Sequence, residues 1–389
     1  MLNEKGIREL AYVVKIDGIE PIEGKDRVEA AIVGGWKVMV KKGEFRPGDL
    51  AVYFEIDSQV PEKEPFLFLA PKHFKIKTQK YGNFYSQGLV MPLAELGLKD
   101  VKEGDFLTEK LGVTYATAED RKRKSNVNKY DKMRNAHPKL FKRPLVKWLF
   151  KSAIGKRFLY IFFKPKKDKE KYFPNKYPYI KVTDEERVEN MPYILEDKSE
   201  WVKTTKIDGT SSTYIAERKG RKINFYVYSR HVRQFDPSQK SYHNTETNVY
   251  WEMNEKYKIK EFLESILTSN PDLEYVCLQG ETAGVDLQGN PHKFPDRRFF
   301  GFNFIDSKNG RWDTIVAARL CSSFQIPWVP IVDEHYILPD DMEEFKLSAD
   351  GPCEAPDAQG LREGYVYRNA LDPNRSFKNV SRKYLSKQK

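Results

Sequence analysis

Alternating apolar and polar residues predict short strands in the first part of the chain. The stretch Val28–Pro61 alternates β-branched or aromatic residues with polar ones, and Gly34-Gly35 and Pro47-Gly48-Asp49 interrupt it as turns. The sequence MPLAELG, residues 91–97, predicts a short helix. Short strands at this spacing with a short helix favour a small closed barrel such as an OB-fold, which we assign to residues 1–115.

The last part of the chain, residues 179–389, combines predicted strands and helices in an α+β pattern. A capping-box pattern, Thr183 with Glu186 three positions later, predicts that a helix starts there. Strands are predicted at residues 200–206, 211–217, 222–230, 275–281, 298–307, 363–368 and 376–381, and helices at residues 246–267 and 314–324. We expect a second domain built mainly on antiparallel strands.

Basic residues are concentrated between these two predicted domains. Residues 119–181 contain 21 Lys and Arg against 5 Asp and Glu, whereas the rest of the chain contains 46 against 51. The interleaved aromatic residues are typical of a surface that contacts a phosphate backbone. A solvated linker or a basic tail gives the same charge pattern. Helix-like apolar spacing over residues 143–163 predicts that the basic insert, residues 116–178, is partly helical.

Composition restricts the class of protein. The chain has 389 residues, enough for two domains. No stretch reaches the roughly 18 apolar residues that a membrane helix needs, and the opening MLNEKGIREL is too charged for a secretory signal. The cysteines Cys277, Cys321 and Cys353 lack the short spacing of zinc sites and fit a reducing compartment. We expect a cytoplasmic protein with no membrane partner and no metal cluster.

The tetrapeptide Lys-Ile-Asp-Gly occurs at residues 15–18 and again at residues 206–209. Lysine, any residue, aspartate and glycine is a known arrangement for a lysine that takes a nucleotide onto its own nitrogen. In the first copy, Lys15 and Asp17 alternate with apolar neighbours on the polar side of a predicted strand. We therefore expect Lys15 to face solvent as an ordinary strand residue.

In the second copy, Asp208-Gly209 makes a turn that lets Lys206 project between two predicted strands. The tetrapeptide alone does not identify a nucleotide-accepting lysine. The interpretation depends on an ordered set of motifs further along the chain. In order, these are Ser229-Arg230, Gly280-Glu281, the FNFID sequence at residues 302–306, Glu363-Gly364, and Lys378 with Lys383.

This ordered set resembles the ATP-dependent RNA ligases of the covalent nucleotidyltransferase superfamily. The resemblance extends to GGWKVMVKKGEFRPGD and YFEIDSQVP in the first domain, and it is closest to the branch with an OB-fold domain before the catalytic domain. DNA ligases and capping guanylyltransferases place that domain after the last lysine motif. Because six residues follow Lys383 here, we expect neither class.

The resemblance implies that Lys206 is the nucleophile that forms lysyl-AMP from ATP. We expect the cations Arg230, Lys378 and Lys383 to lower the pKa of Lys206 and to neutralise the triphosphate. A role in surface salt bridges is the plainer alternative for the two lysines.

Carboxylates near ATP need a cation to offset their charge. We therefore expect Asp208, Glu281 and Glu363 to hold Mg²⁺, or Mn²⁺, through its water shell. In the ligases that this chain resembles, the equivalents of the two glutamates contact the ribose or the waters of the metal. Asp208 could be only a turn former, and Glu363 only an exposed glutamate.

Adenine needs a flat apolar partner. Phe302 and Phe304 are predicted to share one face of a strand, and by resemblance we assign adenine stacking to Phe304, with Phe302 as the alternative. Arg230 is expected to reach the ribose or the RNA terminus.

The predicted function is an ATP-dependent ligase that joins the 3′-hydroxyl and 5′-phosphate ends of RNA, working as a monomer in RNA repair. The partner is RNA or a nicked duplex that contains RNA, with the barrel and the basic insert gripping its backbone. Two alternatives stay open from the sequence. One is a nucleotidyltransferase that modifies an RNA end or a protein without joining strands, and the other is an OB-type RNA-binding protein with a vestigial nucleotide site.

Overall fold

The computed structural model describes residues 1–4, 7–115, 140, 143–150, 152–163, 180, 184–230, 233–234, 236–237 and 248–387. It divides into two compact units. Residues 1–114 and 173–389 form the first unit, and residues 115–172 form the second. Thr183 and most of the basic insert lie outside the described residues. No helix among the described residues is long and apolar enough to cross a membrane.

The N-terminal part of the first unit is a barrel-like arrangement of short antiparallel strands. Its strands are β1 (Ala11–Lys15), β2 (Gly18–Pro21), β3 (Val28–Val33), β4 (Trp36–Lys41), β5 (Leu50–Phe54), β6 (Ser58–Gln59), β7 (Gln79–Tyr81), β8 (Phe84–Ser86), β9 (Leu89–Pro92) and β10 (Thr114–Tyr115). They pair in the orders β1-β5-β9, β2-β3-β4, β7-β8 and β10-β6. A 3-10 helix at Leu93–Leu96 confirms the predicted short helix, and another at Phe66–Lys72 had no clear sequence pattern.

The second unit contains two short helices among its described residues, α1 (Pro144–Leu149) and α2 (Ala153–Phe162). Both helices lie within residues 116–178, the basic insert. Ser152 caps α2 because its hydroxyl accepts a hydrogen bond from the backbone N–H of Gly155 at 2.9 Å.

The C-terminal part of the first unit is built on two sheets. Its strands are β11 (Glu186–Arg187), β12 (Trp201–Lys206), β13 (Thr210–Lys219), β14 (Lys222–Ser229), β15 (Arg233–Gln234), β16 (Tyr275–Ala283), β17 (Arg298–Asp306), β18 (Gly310–Arg311), β19 (Ile331–Tyr336), β20 (Gly364–Asn369) and β21 (Ser376–Val380). One sheet has the order β11-β21-β20-β12-β19, and the other has the order β15-β14-β13-β16-β17-β18. The pairings are antiparallel except for β11 with β21.

Helices flank these sheets: α3 (Val249–Tyr257), α4 (Ile259–Ser269), α5 (Thr314–Ser323), α6 (Met342–Ser348) and α7 (Arg382–Lys387). The predicted helix over residues 246–267 is in fact two helices, because Lys258 adopts a left-handed conformation with φ of 51°. Phe262 of α4 and Leu278 of β16 belong to the same buried core, so α4 packs on the second sheet.

The prediction that a helix starts at Thr183 is wrong where the structure describes it. Glu186 and Arg187 form β11, and Arg187 pairs with Lys378. Glu186 does not act as a helix N3 residue, because its carboxylate accepts hydrogen bonds from Arg8 and from the side chain of Asn190. These contacts favour an extended segment over the first turn of a helix.

The barrel packs directly against the C-terminal strand and helix of the chain. Val380 of β21 and Leu385 of α7 belong to the same buried cluster as Trp36 of the barrel. Lys346 of α6 is buried and donates a hydrogen bond to the backbone carbonyl of Gly35 at 2.8 Å. The barrel therefore supports β21, the strand that carries Lys378.

Candidate active site

The second Lys-Ile-Asp-Gly segment crosses from one sheet to the other. Lys206 ends β12 in the first sheet, where it pairs with Gly364, and β13 begins at Thr210 in the second sheet. A β-carbon on Gly209 would lie 2.3 Å from the backbone oxygen of Thr282, so this position accepts no side chain. The close approach brings the turn against β16 beside Glu281.

Lys206 and Glu363 are in direct contact. The ammonium Nζ of Lys206 lies 2.6 Å from Oε2 of Glu363. Both side chains are largely buried, with exposed fractions of 25% and 15%. Because Glu363 directly precedes Gly364, the residue opposite Lys206 on the neighbouring strand, adjacent strands fix this contact.

Two further carboxylates surround Lys206. Burial raises the pKa of Glu281 to about 8, and the charges of Asp208 and Glu363 add to the increase while Lys206 opposes it. Burial likewise raises the pKa of Asp208 to about 6, with a further increase from Glu363. Glu281 lies in β16, Asp208 in the turn after β12 and Glu363 directly before β20, and the charges of all three act on Lys206.

The prediction that cations lower the pKa of Lys206 is wrong for this state of the protein. Burial alone would lower the pKa, but the negative charges of Glu363 and Glu281 outweigh it and raise the pKa of Lys206 above its usual value. Lys206 is therefore held as an ammonium by its carboxylate neighbours.

The cations that the sequence assigned to the triphosphate surround a different carboxylate, Asp184. Lys378 donates a hydrogen bond to Asp184 at 2.8 Å, and Arg230 lies 3.5 Å from the same side chain. Arg8 donates to it at 2.8 Å. Burial would raise the pKa of Asp184, but the charges of Lys378 and Arg8 outweigh it and hold the pKa well below its usual range.

Lys378 and Arg230 nevertheless lie within electrostatic range of the Lys206 cluster. Burial lowers the pKa of Lys378 to about 8, and the charge of Lys206 contributes to this decrease. The charge of Arg230 lowers the pKa of Glu281, against the larger effect of burial. Lys383 is not brought into this group, because its side chain is exposed and forms no ion pair with a residue that the structure describes.

The structure brings two arginines to the site that were not assigned from the sequence. Arg187 is buried in β11 beside Lys378, ion-paired with Asp57 at 3.2 Å. Arg8 comes from the extreme N-terminal segment and contacts Asp184. Arg8 is far in sequence from the other site residues, and Arg187 directly follows the acidic run at residues 184–186, where nothing local marks it as a site residue.

The assignment of adenine stacking to Phe304 is contradicted by its burial. Phe304 is fully buried in the core between the second sheet and its helices, where it contacts Phe262 and Trp312. A β-bulge in β17, opposite Gln279 and Gly280, breaks the predicted alternation. Phe302 therefore does not share the environment of Phe304, and packs instead against the cluster that contains Ile207.

The carboxylate cluster is chemically suited to a divalent cation. Among the described residues, no three His, Cys, Asp or Glu side chains are placed to ligate a metal directly. Asp208, Glu281 and Glu363 nevertheless lie close together. The raised pKa values of Glu281 and Asp208 indicate that nearby cations do not fully balance their negative charge. Water-mediated contact with Mg²⁺ or Mn²⁺ fits this donor set, because Mg²⁺ usually keeps several waters.

The first Lys-Ile-Asp-Gly copy has none of these neighbours. Lys15 is exposed at the end of β1, as expected. The carboxylate of Asp17 accepts a hydrogen bond from the backbone N–H of Gly34 at 2.6 Å and so closes the turn between β3 and β4. The cysteines Cys277, Cys321 and Cys353 are free and buried.

Two family models match the chain in the order that the sequence predicted. A model described as an OB-fold domain matches residues 10–93. A model described as RNA ligase matches residues 199–385, which include Lys206, Glu281, Glu363 and Lys378. No curated protein matches the chain.

Solved structures of the RNA ligase of Naegleria gruberi are similar to nearly the whole chain. The structure with PPi is 27% identical with a TM-score of 0.73, and the match covers 98% of this chain and 99% of that one. A mutant with AMP and Mn is 27% identical, with a TM-score of 0.71 and the same coverage. A mutant with ATP and Mn is 28% identical, with a TM-score of 0.70 and again the same coverage. The chain therefore belongs to the ATP-dependent RNA ligases, in the branch with an OB-fold domain ahead of the catalytic domain.

Proposed function

We propose that Lys206 of this RNA ligase attacks the α-phosphate of ATP, forms a phosphoramidate bond to AMP and releases pyrophosphate. The AMP then passes to the 5′-phosphate end of an RNA strand, and a 3′-hydroxyl displaces it to seal the strand. The observation that carries this proposal is the convergence of Lys206, Glu281 and Glu363 from two sheets, with Lys206 Nζ 2.6 Å from Glu363.

The charge around Lys206 would keep the amine protonated, and so unreactive, before substrates bind. An ammonium is not a nucleophile, and the carboxylate of Glu363, which contacts the amine at 2.6 Å, keeps Lys206 protonated. A divalent cation, when bound through water to Asp208, Glu281 and Glu363, would supply the positive charge that balances these groups. With these charges balanced, Lys206 would be able to pass its proton to water and attack the α-phosphate.

Lys378 and Arg230 would bind the phosphates of ATP. Both are paired with Asp184 in this structure, and a triphosphate offers them more negative charge than a single carboxylate. As charge builds on the phosphoryl oxygens, the same cations stabilise the transition state. Lys383, being exposed, is better placed to contact RNA or the outer phosphates than the reacting atom.

Phe302 replaces Phe304 as the proposed partner of adenine. It is only partly buried and packs against the cluster that contains Ile207, the residue that follows the proposed nucleophile. Substituting Leu for Phe302 should raise the KM for ATP, because base–aromatic stacking contributes about 1 to 3 kcal/mol.

A pair of sealing assays tests the proposed reaction. Lys206→Ala is expected to lose sealing of a nicked RNA duplex with a 5′-phosphate, yet to seal a nick whose 5′ end already carries AMP, because the lysine acts only in the earlier steps. Failure of the wild-type protein on both substrates would instead favour a nucleotidyltransferase that does not join strands, or a binding protein with a vestigial site.

We further propose that the barrel and the basic insert bind the RNA backbone outside the reaction site. Residues 119–181 contain 21 Lys and Arg against 5 Asp and Glu, which suits contact with phosphates. Raising the salt concentration should then weaken sealing steeply while leaving formation of lysyl-AMP nearly constant. Equal salt sensitivity of the two steps would contradict this role.

The proposed setting is RNA repair in the cytoplasm by a monomer. Three free, buried cysteines are compatible with a reducing compartment. Light scattering of the purified protein, alone and with a nicked duplex, tests the oligomeric state.

A further inference from the structure

A buried histidine holds the turn that carries the proposed nucleophile. His292 has no exposed surface. Its Nε2 accepts a hydrogen bond from the backbone N–H of Asp208 at 2.7 Å, and its Nδ1 lies 3.0 Å from the backbone carbonyl of Leu361. Asp208 lies two residues after Lys206, and Leu361 lies two residues before Glu363.

These two partners define the protonation of the ring. A backbone N–H can only donate and a carbonyl can only accept, so Nδ1 carries the proton and Nε2 carries none. The neutral ring therefore spans from the Lys206 turn to the segment of Glu363 with one hydrogen bond at each end. The main chain of His292 is fixed as well, because the N–H groups of Gln359 and Gly360 both donate hydrogen bonds to the His292 carbonyl at 3.0 Å.

A tyrosine from the last helix holds the same turn from another direction. The hydroxyl of Tyr384 donates to Oδ2 of Asp208 at 2.5 Å. Its ring lies nearly parallel to that of His292, with the centroids 6.3 Å apart and the planes at 16°. Ser381 connects this helix to Glu363, because the N–H of Ser381 donates to the Glu363 carbonyl at 2.8 Å.

We propose that His292 and Tyr384 are positioning residues, which hold Lys206 and Glu363 at their working separation for the transfer of AMP. The inference rests on the proposed function of Lys206 and extends it to two residues that hydrogen-bond to Asp208, one of which also reaches the backbone of Leu361. Its energetic reason is that a reacting group displaced by about 1 Å can lose about 100-fold in rate.

Two substitutions at position 292 separate positioning from simple packing. Glutamine can place an acceptor where Nε2 lies and so keep the bond from Asp208. Asparagine can place a donor where Nδ1 lies and so keep only the bond to Leu361. Tyr384→Phe keeps the ring and removes only the hydroxyl that Asp208 accepts from.

The experiment measures single-turnover formation of lysyl-AMP in the full chain over a range of ATP concentrations. His292→Asn is expected to slow the step at saturating ATP by about 100-fold and Tyr384→Phe by about 10-fold, with little change in the ATP concentration at half-maximal rate. His292→Gln should stay within a few-fold of the wild type. His335→Asn and Tyr193→Phe are matched controls at exposed positions and should change nothing.

The experiment distinguishes failure of the positioning roles from failure of the proposed role of Lys206. If Lys206→Ala still forms the adduct, the proposed nucleophile is wrong, whatever the other variants do. If Lys206→Ala loses it, two results overturn the positioning roles: a wild-type rate for Tyr384→Phe, or equal losses for His292→Gln and His292→Asn. Tyr384→Phe decides the matter even if both substitutions of His292 fail to fold.

Discussion

The chain carries the same tetrapeptide at residues 15–18 and 206–209, in two very different environments. Lys15 is the last residue of β1 in the barrel and faces solvent. The carboxylate of Asp17 accepts a hydrogen bond from the backbone N–H of Gly34, in the turn between β3 and β4. Lys206 is largely buried and contacts Glu363 at 2.6 Å. Four identical residues thus give a surface strand end in one place and a charged cluster in the other.

The difference lies in what distant segments contribute. The second copy crosses between two sheets, so that Glu281 from one and Glu363 from the other reach its lysine. The first copy joins β1 to β2, which belong to different small sheets of the barrel, and the carboxylate of its aspartate accepts a hydrogen bond from a backbone amide. A short motif therefore predicts chemistry only when the fold brings partners to it.

Of the substitutions beside the two tetrapeptides, removal of the charge of Glu363 should reduce the rate of lysyl-AMP formation most. Glu363→Gln keeps the shape of the side chain but removes the carboxylate that contacts Lys206. Although this carboxylate keeps Lys206 protonated, it would also hold the cation that offsets charge in the transition state, so formation of lysyl-AMP should slow by about 100- to 1,000-fold. Rapid-quench measurement with labelled ATP checks this. The matched change beside the first copy, Glu20→Gln, should leave the rate unchanged, because Glu20 forms an exposed pair with Lys37.

Substitution of the aspartates should have different effects in the two copies, on the rate of lysyl-AMP formation at Asp208 and on stability at Asp17. Asp208→Asn is expected to slow lysyl-AMP formation by about 10- to 100-fold. It removes the carboxylate that would hold the cation and that accepts a hydrogen bond from Tyr384. Asp17→Ala should cost about 1 kcal/mol of unfolding free energy, the value of one hydrogen bond, with no loss of rate. Denaturant unfolding and the adenylylation assay together check both. A rate defect in Asp17→Ala would erase the distinction.

A change of pH should reveal a smaller effect at Lys378. Its pKa is lowered from 10.5 to about 8, so its ammonium is charged below pH 8 and loses its charge as the pH rises through that value. At pH 9 about one tenth of the protein keeps this charge, so the KM for ATP should rise by up to about tenfold. Lys378→Arg stays charged and should remove this rise. Equal pH profiles for the two proteins would contradict the assignment.

Much of the fold was predictable because local pattern decides it. The alternation in β12, β13 and β16 and the apolar spacing of α5 (Thr314–Ser323) were read within a few residues of the observed bounds. Strand β19 (Ile331–Tyr336) was not predicted, because its side chains are mostly exposed or partly exposed and give no apolar face. The break at Lys258 depends on a single left-handed residue, which leaves no periodic signal.

The candidate site was predictable as an ordered set of residues but not as a geometry. Lys206, Glu281 and Glu363 came from the motif order, yet the sign of the shift in the pKa of Lys206 depends on which charges lie nearest. The bulge in β17 gives Phe302 a different environment from Phe304, which is buried in the core. His292 bonds to backbone atoms only, and such contacts leave no trace in the sequence.

Intact mass compares the two lysines without any assumption about the RNA substrate. The purified wild-type protein, incubated with ATP and Mg²⁺, should gain the mass of one AMP, and peptide mapping should place the AMP on Lys206. Lys15→Ala should keep the adduct and Lys206→Ala should lose it. An adduct that survives Lys206→Ala, or one that maps to Lys15, would contradict the proposal that the charged cluster, rather than the tetrapeptide by itself, makes Lys206 the nucleophile.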